Sequence, residues 1–159
     1  MTVLGVFIAL SFALSYIDSI LSSSFAFIPG MKIGLAGLVT VFAFHFMKKR
    51  YIVIMLVCRC LLTLLVFGSV TSFMFSVSGC MLSFLIMSIA FSRISIIKTS
   101  MLGGITHNIG QTVVAIIITQ TYLVIWQLPY LLIVGCVSGL AMGIIAKLIV
   151  PRLKSSIKL

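Results

Sequence analysis

The feature that most limits what this chain can become is a succession of apolar segments, each close to the length of a membrane-spanning helix and separated only by turn residues and small basic clusters. Crossing about 30 Å of hydrocarbon takes roughly 20 helical residues. Six segments approach that length: 2–23, 32–47, 51–67, 72–91, 99–121 and 129–149. The breaks between them have recognisable chemistry. Ser22-Ser23-Ser24 through Pro29-Gly30 joins a prolyl ring to a permissive glycine, a combination that ends one helix and lets the chain turn back. Lys48-Lys49-Arg50, Gly68-Ser69, and Ser92-Arg93 through Lys98 supply the next three, and Tyr122 to Pro129 the fifth, with the proline suited to a first helical turn. Pro151 is expected to close the last span. With 62% apolar and 8% charged residues and a mean hydropathy of +1.39, a soluble globular domain is excluded. The expectation is one all-α membrane domain over residues 1–159, with six transmembrane helices.

Charge gives an independent check on that count. Eleven Lys and Arg stand against a single carboxylate, Asp18, for a net charge of +10. In a membrane protein such an excess marks cytoplasmic loops rather than nucleic-acid binding. Lys48, Lys49, Arg50, Arg93, Lys98, Arg152, Lys154 and Lys158 all follow even-numbered spans or lie in the tail, whereas the odd-numbered loops contain only Lys32. A multi-pass protein of the cytoplasmic membrane with both termini inside follows. Tyr122, Trp126 and Tyr130 are then expected at the outer interface as aromatic anchors. The first 23 residues lack the basic start and small-residue cleavage site of a signal peptide and read as a retained helix.

Helices in lipid approach closely where small residues recur every four positions. Gly5, Ala9 and Ala13 form such a stripe on the first helix, and Gly135, Gly139 and Gly143 one on the last. The glycine stripe reads first as packing within the chain, while the stripe on the terminal first helix can equally dock a second membrane subunit.

Strongly polar groups within spans are costly in hydrocarbon and are therefore the candidates for function. They are Asp18, Arg59, His107, Asn108 and Gln111, with Lys32 at the outer edge. Arg59 and His107 each lie about 12 Å from the cytoplasmic start of their helices and so share a depth, with Asp18 and Lys32 above them. Asp18 either contacts a ligand or only pairs with Arg59 or Lys32 to neutralise a buried charge. His107 and Gln111 are four apart and face the same way, with Asn108 beside them; the cluster favours an anionic or carbonyl-bearing substrate. Cys58, Cys60, Cys80 and Cys136 fall inside spans and read as small core residues, without metal-ligand spacing. No phosphate-binding glycine loop is present, and a lone carboxylate cannot assemble the oxygen ligands of a magnesium-diphosphate enzyme. No catalysis, cofactor or metal is expected.

Several motifs together carry a resemblance: Leu14-Ser15-Tyr16-Ile17-Asp18, then Ile28-Pro29-Gly30-Met31-Lys32-Ile33-Gly34-Leu35-Ala36, then Phe67-Gly68-Ser69, and above all His107-Asn108-Ile109-Gly110-Gln111. On these the chain resembles the Gx transporter family, also labelled heptaprenyl diphosphate synthase component I, which is similar to the substrate-binding S components of energy-coupling factor (ECF) transporters. It departs from that pattern in having Asp18 where the family often has Glu, and Gly37 where it often has Asn. The resemblance implies a six-helix S-component fold, and docking of a transmembrane coupling subunit, itself joined to two ATPases, on the Ala9-Leu-Ser-Phe-Ala13 pattern. It further implies that the whole subunit topples in the membrane during transport. The two family labels point to different functions: capture of a small vitamin-like molecule for import, or presentation of an isoprenoid or quinone-type lipid to a partner enzyme or redox system. A membrane subunit without any ligand is the third class. The first is the expectation taken forward, with substrate held by Asp18, Lys32, Arg59, His107, Asn108 and Gln111 beneath a gate formed by Ser22 to Met31.

Overall fold

The computed structural model describes residues 2–24 and 34–157. Within them the chain is helical, with no strand: α1 (Thr2–Ser24), α2 (Ala36–Phe46), α3 (Lys49–Phe67), α4 (Val70–Ala90), α5 (Ile96–Thr119) and α6 (Leu128–Ile157), the last preceded by a 3-10 helix over Tyr122–Gln127. Four stretches are long and apolar enough to cross a membrane: Thr2–Leu21, Val70–Ala90, Ile96–Thr119 and Tyr122–Leu153. The expected runs 32–47 and 51–67 fall outside that set. α2 has 11 residues, a length of about 16 Å, and α3 carries Lys49, Arg50 and Arg59. Leu65, Val70, Leu123, Ile133 and Leu148 are each more than 60% exposed on the outside of the bundle, an apolar surface that belongs in lipid rather than water. The chain is a membrane protein.

Local chemistry explains where the helices start and stop. The Ser69 hydroxyl accepts the backbone N–H of Ser72 at 3.1 Å, and that of Ser95 accepts the N–H of Lys98 at 3.4 Å, so each serine satisfies a donor left over at a helix start. α5 consequently begins at Ile96 and not at 99. It ends at Gln120, whose φ of 52° is left-handed. The expected break after it holds a 3-10 helix over Tyr122–Gln127, and Pro129 falls in the first turn of α6. The expectation that Pro151 closes the last helix is corrected: α6 runs on to Ile157, since a proline removes a single i to i−4 hydrogen bond and later residues can resume the ladder.

At one end of the bundle the interior is apolar. Val39 and Ala43 of α2, Ile52 and Met55 of α3, and Ala146 of α6 are fully buried together there. Phe44 stacks on Phe84 and Phe91, with ring centroids 5.8 and 5.3 Å away. Lys49 Nζ donates to the Ser88 carbonyl at 2.9 Å, which ties the start of α3 to the end of α4 and gathers the basic residues 48–50 and Arg93 at that same end.

α5 is the most heavily packed element, with α6 on one side and α4 on the other. Glycine makes both contacts possible. A Cβ on Gly139 would stand 2.6 Å from the Ser100 carbonyl oxygen, and one on Gly143 2.8 Å from Ile97 Cα. On the other side, a Cβ on Gly110 would come 2.8 Å from the Ser78 carbonyl oxygen. The stripe Gly135, Gly139 and Gly143 is thus a packing face within the chain.

Candidate functional site

Between the glycine-packed helices and α1 to α3 lies a cavity of about 140 Å³, to which all six helices contribute. Its floor is apolar, formed by Val41, Leu56, Met87 and Met142, and its walls carry hydroxyls from Ser15, Thr40, Thr63, Ser76 and Ser138. A cavity that gathers polar groups inside a lipid-facing bundle is where functional chemistry is expected, since every such group is costly to hold there.

Asp18 is 3% exposed and lines the cavity from α1. Its two carboxylate oxygens accept the backbone N–H of Gly34, at 3.2 and 3.0 Å. Gly34 stands just before α2 with φ of +84°, a conformation that side chains strain to adopt. The glycine is therefore needed for the backbone to present its N–H to the carboxylate, and this link joins α1 to the start of α2.

Arg59 enters from α3 and is 8% exposed. Its Nη2 donates to Cys80 Sγ of α4, and Cys80 in turn lies 3.9 Å from Cys60 Sγ. Both cysteines are free, buried thiols. Asp18 and Arg59 line one cavity but are engaged by different groups: the carboxylate by the Gly34 amide, the guanidinium by a thiol.

His107 reaches the cavity from α5 with its ring lying on Gly79 of α4; a Cβ there would be 2.8 Å from Nδ1. The glycine clears the space that the imidazole occupies, next to the Cys80 to which Arg59 donates. Asn108 also lines the cavity, but its Nδ2 donates to the Leu131 carbonyl of α6, so its amide already bridges two helices. Gln111 is buried one turn further along α5 and is not among the lining residues. Lys32 lies outside the described residues, as does most of the proposed gate, residues 25–31. Gly5, Ala9 and Ala13 are exposed on the outer face of α1, away from the cavity, with nothing within 4 Å of the point where a Cβ on Gly5 would stand.

The family described as heptaprenyl diphosphate synthase component I matches residues 7–149. The chain belongs to that family. The matched stretch contains every residue of the cavity wall, from Ser15 on α1 to Met142 on α6, so the chamber lies wholly within the family region. No curated protein and no solved structure matches the chain.

The sequence reading took Cys60 and Cys80 for ordinary core residues and did not select the α4 wall at all. The signal was present: Ser72, Ser76 and Cys80 recur every four residues and Ser83 follows three later, a small polar stripe along one face of an otherwise apolar helix. All four line the cavity. α4 thus supplies the groups that meet Arg59 and make room for His107.

Proposed function

We propose that this chain is the substrate-binding membrane subunit, or S component, of an ECF-type importer for a small vitamin-like molecule. The observation that supports it is a cavity in a bundle whose outside is apolar, with Arg59 and Asp18 buried in its wall among several hydroxyls. A purely structural subunit has no need of a hollow lined by hydroxyls and two opposite charges, because filling it with apolar side chains would be less costly. In this reading α2 and α3 complete a six-span bundle in the cytoplasmic membrane with both termini inside, and substrate arrives from the outer side.

The chain carries no phosphate-binding loop, so uphill transport draws on two ATPases through a transmembrane coupling subunit. Gly5, Ala9 and Ala13 are the docking surface we assign to that subunit: small residues, exposed together on one face of α1. We assign no prenyl transfer to the chain itself, since Asp18 is its only carboxylate and cannot hold the metal ions such chemistry uses.

A second reading draws on the family's own description, heptaprenyl diphosphate synthase component I. In it the chain presents an isoprenoid or quinone-type lipid to a partner enzyme or redox system. One experiment separates the two: purification of the tagged chain from its native membrane in mild detergent, with mass spectrometry of co-purifying proteins and small molecules. A coupling subunit with two ATPases supports the importer. A prenyl synthase or redox enzyme without ATPases supports the accessory role and removes the docking function from Ala9 and Ala13.

A further inference from the structure

We propose that the cavity takes a ligand bearing an oxyanion, a carboxylate or a phosphate, and that Arg59 is the group that binds it. The inference deepens the substrate-binding reading and rests on it. Arg59 is 8% exposed and lines the chamber. A guanidinium offers five N–H donors in a planar fork and stays charged in any protein setting. Its hydrogen-bond partners are the thiols of Cys80 and Cys60, weak acceptors that leave several of those donors to be satisfied. Burying an arginine without an anionic partner is costly in a bilayer, and a ligand oxyanion is the partner that geometry leaves room for.

The surroundings fit the same chemistry. His107 brings an imidazole to the same chamber from α5. An imidazole N–H can donate to a carboxylate or phosphate oxygen. The chamber's one carboxylate, Asp18, accepts the Gly34 N–H at the junction of α1 with α2. The ligand therefore lies with its anionic end toward Arg59, Cys80 and His107 and its remainder toward Asp18.

The test uses the whole chain in nanodiscs of zwitterionic phosphatidylcholine, with thermal unfolding followed by circular dichroism. The probes are hexanoate, its neutral isostere hexanamide, inorganic phosphate, and discs doped with phosphatidate. Hexanoate or phosphate should raise the melting temperature saturably where hexanamide does not, and Arg59→Gln should raise the half-saturating concentration about tenfold or more, as expected for losing a hydrogen bond to a charged group. A rise from phosphatidate alone, lost in Arg59→Gln, also supports the proposal and assigns the oxyanion to a lipid. Equal responses to hexanoate and hexanamide, no response to any anion, or a response that Arg59→Gln leaves unchanged would each overturn it. If Arg59→Gln does not fold, Arg59→Lys replaces it: the point charge without the fork should weaken binding, and unchanged half-saturation would count against the guanidinium. These outcomes are independent of whether ATPases co-purify, so a failed anion site and a failed importer assignment are told apart.

Discussion

The two halves of the bundle are built on different terms. α4, α5 and α6 are held backbone to backbone, with Gly79 and Gly110 at one contact and Gly104, Gly135, Gly139 and Gly143 at the other. α1, α2 and α3 meet each other and the rest of the bundle less extensively, and two of their links are single polar contacts, Asp18 with the Gly34 amide and Arg59 with Cys80. The cavity lies between the halves. In a bilayer, where lipid tails are as apolar as Leu, close van der Waals packing is the main source of helix association, so the glycine-packed half is the rigid wall. The other half is joined to it by the side-chain core of α2 and α3 at one end and by a few polar contacts around the hollow, and it is around the hollow that opening costs least.

The sharpest way to break this contrast is to add a methyl group to the rigid wall. Gly135→Ala would put a Cβ 2.6 Å from the Gly104 carbonyl oxygen and 2.7 Å from Asn108 Nδ2, and because the neighbour is backbone it cannot swing aside. Overpacking of this kind typically costs about 1–3 kcal/mol, and a backbone neighbour that cannot yield puts this site at the upper end. We expect a large drop in melting temperature in detergent, or loss of monodisperse protein on size exclusion; wild-type behaviour would mean that α5 and α6 can separate freely.

A smaller effect is expected in the looser half from Gly34→Ala. The site has room, since the nearest atom to a new Cβ, Ser138 Oγ, would be 3.6 Å away, but φ is +84°. The penalty is therefore backbone strain of about 1–2 kcal/mol, and relief of that strain would turn the Gly34 N–H away from Asp18. Paired melting curves for Gly34→Ala and Asp18→Asn, with the double variant, should show less than additive losses if the two act through one contact. Full additivity would break the link.

The smallest effect on stability is expected on the open face of α1. Ala9→Leu with Ala13→Leu adds bulk to exposed positions, so the melting temperature of the isolated chain should stay within the roughly 0.5 kcal/mol typical of surface changes. Complex formation with a coupling subunit should be lost. Retained assembly would remove the docking assignment, and a destabilised chain would mean that the face packs within the fold.

Legibility in the sequence followed the range of the physics involved. The breaks at Lys48-Lys49-Arg50, Gly68-Ser69 and Ser92 to Ser95 are local, set by charge and by serine caps, and α3, α4 and α5 start within a few residues of the expected places. The expectation at Pro151 failed because a proline weakens a helix without forbidding one. In the candidate site, Asp18, Arg59, His107 and Asn108 stood out because charge and polarity are rare in these spans, and the structure brings all four to one cavity. Gln111 stood out equally and lies a turn beyond it.

By itself, then, the sequence determined the membrane setting, the helical class and the small set of polar side chains that hydrocarbon would not tolerate unpartnered, since each follows from composition and spacing along one chain. Tertiary structure alone decided which partners those groups take: the Gly34 amide for Asp18, Cys80 for Arg59, the bare face of Gly79 for His107, the Leu131 carbonyl for Asn108. Each is a contact between helices, fixed by how closely their backbones approach, and that distance depends on residues far apart in the chain.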